Sequence, residues 1–294
     1  MKRREWLRNV ASASLLFAMT GCANGNKKTE ASEMKTGTPA AGVKTQTGVT
    51  TREFGQAKVT WIRDNAKERI MNNSLFVGAD STKINEWSPQ GGAPASVSVV
   101  LVESEGKRIL VDTGNGVADS LMLPELASIG VKPEDIDYLY ITHFHGDHLG
   151  GMMNGEQVVF PNAQVYVSTL EYDAWMTSPA LEKRREQAAK IMGAYLERLH
   201  KFSFGETLPG NVLAIDAVGH TPGHTAYLVD KCLIIGDLLH GAALQIPHPE
   251  LCASFDMDRE KAVETRKRLL AEAKSKGFVL TGMHLPEPGF IESW

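Results

Sequence analysis

Apolar residues along this chain come in short runs separated by Gly, Pro and polar clusters. Nine of these runs have the length and β-branched content of strands: 59–63, 96–102, 108–111, 138–142, 164–167, 212–218, 226–229, 233–235 and 278–280. Two longer stretches, 181–202 and 259–276, have helical spacing. The second carries its own punctuation: Asp258 as N-cap, Lys274 and Lys276 in the last turn, and Gly277 as the stop. Its apolar positions Ala262, Leu269, Leu270 and Ala273 share one face, so it should pack on a sheet. Strands separated by helices without a regular βαβ beat predict a mixed α/β layered domain rather than a doubly wound one.

The N-terminal region departs from this pattern. Basic residues among positions 2–8 precede an apolar run, 10–19, too short to span a bilayer as a normal helix. Arg3-Arg4-Glu5-Trp6-Leu7-Arg8 resembles a twin-arginine export signal, and Met19-Thr20-Gly21-Cys22 resembles a bacterial lipobox. Residues 1–21 therefore read as an export signal, with Cys22 lipidated to anchor the protein to a membrane at the periplasm or cell surface. Residues 22–50, rich in Lys, Thr, Gly and Ala, read as a flexible tether, and 51–294 as the folded body. The chain's net charge is −4, and the basic signal makes the remainder more acidic still. Such a body is a poor match for nucleic acid. Cys232 and Cys252 do not have metal-ligand spacing; Cys232 reads as a buried thiol, and a disulfide between them is undecided. The charge run from Glu182 to Glu186 reads as a solvated helix face.

The chemistry concentrates in Thr142-His143-Phe144-His145-Gly146-Asp147-His148-Leu149-Gly150-Gly151, directly after a strand-like run. Three imidazoles and a carboxylate within six positions form a dense donor set for a first-row divalent cation. Val218-Gly219-His220-Thr221-Pro222-Gly223-His224, then Gly236-Asp237, then Gly282-Met283-His284 repeat one grammar: apolar strand, glycine, donor. Singly, each is as readily a turn histidine or a capping Asp. Together they gather donors at strand ends, where loops carry function on a rigid base.

In this order the motifs H-x-H-x-D-H, G-H-T-P-G-H, G-D and a late His resemble the metallo-β-lactamase superfamily. That resemblance implies a four-layer αββα sandwich. It implies one metal held by His143, His145 and His220, a second by Asp147, His148 and His284, and Asp237 shared between them. His224 then falls to a supporting or strand-start role. Asp112, in Val111-Asp112-Thr113-Gly114, could accept the free N–H of a ligating imidazole or could simply stabilise a turn.

Segments 236–245, 255–258 and 283–289 look like the branch containing methyl parathion hydrolase and related lactonases. This chain has Glu287 where that branch often has Phe, which bears on the charge of the pocket rim. His240 lies where N-acyl-homoserine lactonases carry a substrate-facing Tyr. It is a candidate to touch substrate, or else a histidine satisfied by local hydrogen bonds. Phe144 and Trp175 are candidates to line an apolar pocket, or plain core.

The implied activity is that of a metal-dependent hydrolase with two divalent ions per chain, zinc first, with Mn, Fe or Co as options. A metal-bridging hydroxide would attack a lactone or ester-like small molecule, with phosphotriesters as a side activity, and Asp147 could carry a proton to the leaving group. Asp237 stands where the common zinc β-lactamases have Cys, which disfavours β-lactams. Alternatives are a mononuclear iron persulfide dioxygenase, a glyoxalase II-like thioesterase, and a metal-binding surface lipoprotein without catalysis. A homodimer is left open.

Overall fold

A computed structural model describes residues 44–46 and 48–294. The expected export signal, Cys22 and most of the expected tether lie outside the described residues. The tether's expected end at residue 50 is too late: Lys44–Gln46 and Val49–Phe54 pair as antiparallel strands, with Val49 and Thr50 buried. Low hydrophobicity hides Lys44–Gln46, because this edge strand needs only main-chain partners on one side.

Two sheets carry the fold. The first has eight strands, in the order Lys44–Gln46, Val49–Phe54, Ala57–Arg63, Ser98–Ser104, Lys107–Val111, Tyr138–Tyr140, Gln164–Ser168 and Leu199–Phe202. It is antiparallel as far as Lys107–Val111 and parallel beyond it. The second has six: Thr207–Leu208, Val212–Asp216, Thr225–Val229, Cys232–Ile234, Val279–Thr281 and Phe290–Ile291. The first sheet uses the chain up to Phe202 and the second the chain after it.

The run Ser98-Val-Val-Leu-Val is continuous rather than alternating because both its faces are covered. Val100 and Val102 face the second sheet and pack with Trp61, Val212, Tyr227 and Ile234. Val99 and Leu101 face outward against Met122, Leu126, Trp175 and Ile191. On the far side, Leu269, Leu270 and Ala273 of the helix Arg259–Lys276 cover Ala226 and Leu233. The layers are helices, sheet, sheet, helix, as the resemblance implies. Asp258 accepts from Lys261 N at 3.0 Å, and Gly277 closes the helix at φ 64°.

The expected helix over 181–202 is broken up. A turn at Pro179–Leu181 precedes a helix Arg185–Ala194, and Leu199–Phe202 is a strand beside Gln164–Ser168. Phe202 is buried on the sheet, so tertiary pairing overrides local helical spacing there. The helix Thr169–Thr177 is absent from the sequence expectations. Cys232 and Cys252 are buried and unpaired. No helix among the described residues is long and apolar enough to cross a membrane.

Gly150 and Gly151 close the histidine-rich motif for a steric reason. A Cβ on Gly150 would lie 2.0 Å from the Asn115 carbonyl oxygen, and one on Gly151 2.0 Å from that of Thr113. Main chain meets main chain here, and neither side can swing away. Gly150→Ala is expected to destabilise the domain by about 1–3 kcal/mol, read as a lowered calorimetric midpoint; an unchanged midpoint would show that the loops slide freely.

Candidate metal centre

Parallel strands end on the same side, so their following loops meet. Lys107–Val111 delivers Asp112, Tyr138–Tyr140 delivers His143 to His148, and Gln164–Ser168 delivers the helix bearing Glu171. In the second sheet, Cys232–Ile234 delivers Asp237 and its parallel neighbour Val279–Thr281 delivers His284. His220 lies in the loop between Val212–Asp216 and Thr225–Val229.

All seven residues singled out as donors converge. The donor atoms of His143, His145, His220 and Asp237 lie within 4.8 Å of one another, as do those of Asp147, His148 and His284. His145 Nδ1 is 2.8 Å from His143 Nε2 and 2.9 Å from His220 Nε2. Asp237 sits between the two groups. Its Oδ2 is 3.7 Å from His143 Nε2, 3.2 Å from His220 Nε2 and 3.3 Å from His284 Nε2, while its Oδ1 is 3.1 Å from His148 Nε2. His148 Nε2 and Asp237 Oδ1 are buried without hydrogen-bond geometry to any described residue. Buried imidazole nitrogens aimed at one another and at shared carboxylates fit divalent cations, which accept what these atoms offer.

The rings are held from behind. His148 Nδ1 donates to Asp112 Oδ2 at 2.7 Å, and His220 Nδ1 to Asp256 Oδ1 at 2.7 Å. His284 Nδ1 donates to the Ser96 carbonyl at 2.8 Å. These bonds fix the tautomers that turn Nε2 toward the centre. Asp112, held at φ 59°, also accepts from Thr142 N and Oγ1, so its supporting role prevails over a mere turn. His224 supports the main chain: its Nδ1 donates to the Ala217 carbonyl and its Nε2 accepts from Asp237 N at 3.0 Å. Asp112→Ala is expected to weaken metal affinity about 10- to 100-fold, measured by chelator competition; unchanged affinity would leave Asp112 only a turn residue.

Electrostatics separate the histidines. Burial lowers His143 well below its ordinary value and, with His220 beside it, brings His145 to about 3. Burial likewise lowers His224 to about 3 and His240 to about 4. Burial opposes the charged form of His220 too, but hydrogen bonds to Asp237 and Asp256 raise it to about 9. Burial raises Asp237, yet His284, His148 and other imidazoles around it hold it well below the carboxylate range. The surrounding rings therefore favour the carboxylate form of Asp237.

His240 is 1% exposed and lies beside Asp237, with its Nε2 3.1 Å from Asp237 Oδ2 and its main-chain N–H donated to Gln245 Oε1; its donor atom also falls within 4.8 Å of those of Asp237 and His284. Over the centre opens a cavity of about 530 Å³ lined by Phe144, Asp147, Trp175, Phe255 and others, but not by His240. Phe144 and Trp175 thus do both jobs foreseen for them, core and wall. Glu287 turns away from the rim: its carboxylate takes Arg63 at 3.1 Å and Gly48 N at 3.3 Å.

Sequence reasoning missed Glu171 and Asp256. Glu171 is 1% exposed; its Oε1 accepts from Phe144 N at 3.0 Å, and its Oε2 from Thr221 Oγ1 at 2.8 Å and Gly223 N at 2.7 Å. It joins two donor loops. Three residues after the N-cap Ser168, it passes in sequence for a local capping-box glutamate. Asp256, two before the N-cap Asp258, is masked in the same way.

Comparison with known proteins agrees with this geometry. A hydrolase of the beta lactamase superfamily, AbOPH, superposes with a TM-score of 0.78 at 27% identity, covering 85% of this chain and 94% of that one. AidC, a dizinc quorum-quenching lactonase, gives 0.74 at 25% identity, covering 83% and 92%. The N-acyl homoserine lactonase of Bacillus cereus is 30% identical over 155 residues, 44% of this chain and 56% of its own length, so this chain spans about half of that relative. The Metallo-beta-lactamase superfamily model matches residues 92–282, which include every donor except His284. By that match and by its fold, the chain belongs to the metallo-β-lactamase superfamily.

Proposed function

We propose that the chain is a binuclear metal-dependent hydrolase of lactones or related esters, with phosphotriesters as a side activity. His143, His145 and His220 would hold one ion, Asp147, His148 and His284 the other, with Asp237 shared. The observation that carries the reading is the placement of one buried carboxylate within 3.1–3.7 Å of nitrogens from both groups. Imidazole with carboxylate suits zinc first, with Mn, Fe or Co as options. Divalent ions bound there would acidify water and polarise an ester carbonyl, so no Ser or Cys nucleophile is needed.

The chain's own groups do the rest. Asp147 has a side chain 24% exposed and lines the cavity, whereas Asp237 is 3% exposed, so Asp147 is the carboxylate able to take a proton and pass it to the leaving oxygen. His240 would orient Asp237 rather than touch substrate, since it lies outside the cavity lining. His240→Ala is expected to lower kcat with KM little changed; a large rise in KM at full metal content would restore direct contact. Phe144, Trp175 and Phe255 would exclude water around an apolar acyl or aryl group. The lactonase relatives favour this substrate class.

The test is a panel of lactones, aryl esters, thioesters, β-lactams and phosphotriesters on metal-replete protein, beside elemental analysis. Two ions per chain and lactone or aryl-ester turnover lost on chelation are expected. One iron with oxygen consumption would instead establish the dioxygenase, and a thioester preference the glyoxalase II-like reading. Export and lipid anchoring at Cys22 belong to the same proposal, and palmitate labelling lost in Cys22→Ala tests them.

A further inference from the structure

The described residues contain ten arginines; four pair with acids and four donate to main-chain carbonyls. The remaining two, Arg69 and Arg184, have neither kind of partner among the described residues, and both line the cavity over the metal centre. They come from separate elements: Arg69 opens the strand Arg69–Asn72, and Arg184 is the N-cap of the helix Arg185–Ala194. Arg69 is half-buried and Arg184 exposed. The charge run around Arg184 therefore is not wholly a solvated face, because this member reaches the cavity. Among the described residues, the acids lining the cavity are Asp147 and Asp237, both engaged with imidazoles.

We propose that Arg69 and Arg184 form an anion seat at the cavity rim. The preferred substrate is then an ester or lactone carrying a carboxylate or phosphate group set apart from the bond that is cut. This rests on the hydrolase reading above. A guanidinium presents a planar fork of donors that matches either oxyanion, and such charge-assisted pairs are stronger than neutral ones. Met71, Trp175 and Phe255 supply apolar wall in the same cavity, so the substrate's middle is a hydrocarbon and its far end charged. The chain as a whole is acidic, with net charge −4, and its general field would repel such a molecule. Two guanidinium groups on the cavity wall, neither paired with a carboxylate among the described residues, offset that field locally.

The experiment compares p-nitrophenyl esters of matched length ending in methyl, carboxylate or phosphonate, on the metal-loaded protein. An anionic ester is expected to exceed the neutral one at least about tenfold in kcat/KM, mostly through KM. In Arg69→Met/Arg184→Met, which keeps much of the aliphatic stems, that ratio should fall by about the same factor. Whether carboxylate or phosphonate leads identifies the anion. Equal rates for charged and neutral esters, or a ratio that survives the double substitution, overturn the seat while leaving the hydrolase intact. If no ester is cleaved, calorimetry decides the seat alone, and the hydrolase reading fails only if lactones and phosphotriesters are untouched as well. Adipate should then bind about tenfold tighter than hexanoate, and this advantage should vanish in the double variant; equal affinities overturn it.

Discussion

Asp237→Asn is expected to lower turnover at least about a thousandfold, equivalent to roughly 4 kcal/mol of transition-state stabilisation, and to leave the protein with less than its full metal content. The volume of the side chain is kept, so the loss is one of charge. In the native chain this carboxylate stands against His143, His148, His220, His240 and His284 at 3.1–3.7 Å, and it is 2% exposed. An amide can offer one oxygen but turns its NH2 toward imidazoles that already present nitrogen. The two donor groups then lose the anion they have in common. Elemental analysis with kcat/KM on the same sample checks this. Full metal content with turnover within about tenfold of the parent would remove Asp237 from the centre.

Glu171→Ala is expected to be the most damaging substitution for the folded domain among residues that touch no proposed ligand atom. It strips an acceptor from Phe144 N, Thr221 Oγ1 and Gly223 N, all within a buried layer. Each stranded donor costs about 1–3 kcal/mol, so a total near 3–5 kcal/mol is expected once the site relaxes around the loss. At about 2–4 °C per kcal/mol for a domain of this size, the melting midpoint should fall by roughly 10 °C. Activity should fall with it, since Phe144 sits between two donors and Thr221 follows a third. Glu171→Gln should be milder: burial already raises this carboxyl, and the amide keeps one accepting oxygen. A midpoint within about a degree of the parent in Glu171→Ala would show that water replaces the carboxylate without loss.

The seven side chains that converge were legible in the sequence as candidate donors because their chemistry is dense and local. His143, His145, Asp147 and His148 occupy six positions, and the other three each follow an apolar run and a glycine. The residues that hold those donors were legible only where they shared the same grammar, as Asp112 does after its strand. Glu171 and Asp256 answer to partners far along the chain, at separations of 27 to 52 residues, and no local pattern records such pairs. The layered fold was legible from its strands, while the 199–202 edge strand and the pairing before residue 50 were not. Both depend on which neighbour is in place, a fact absent from periodicity. Arg184 was hidden by its charged neighbours Lys183, Arg185 and Glu186, of which it alone turns toward the cavity.

The division of the chain into a leading and a trailing sheet has a consequence for endurance. Every proposed ion takes ligands from both: His143 and His145 lead while His220 trails, and Asp147 and His148 lead while His284 trails. Metal loading would therefore act as a clasp across the seam, strengthening the assembled state by mass action. Chelation should make the two halves part at a lower temperature, and in the metal-loaded protein catalysis should vanish as soon as the seam opens, before either sheet has melted.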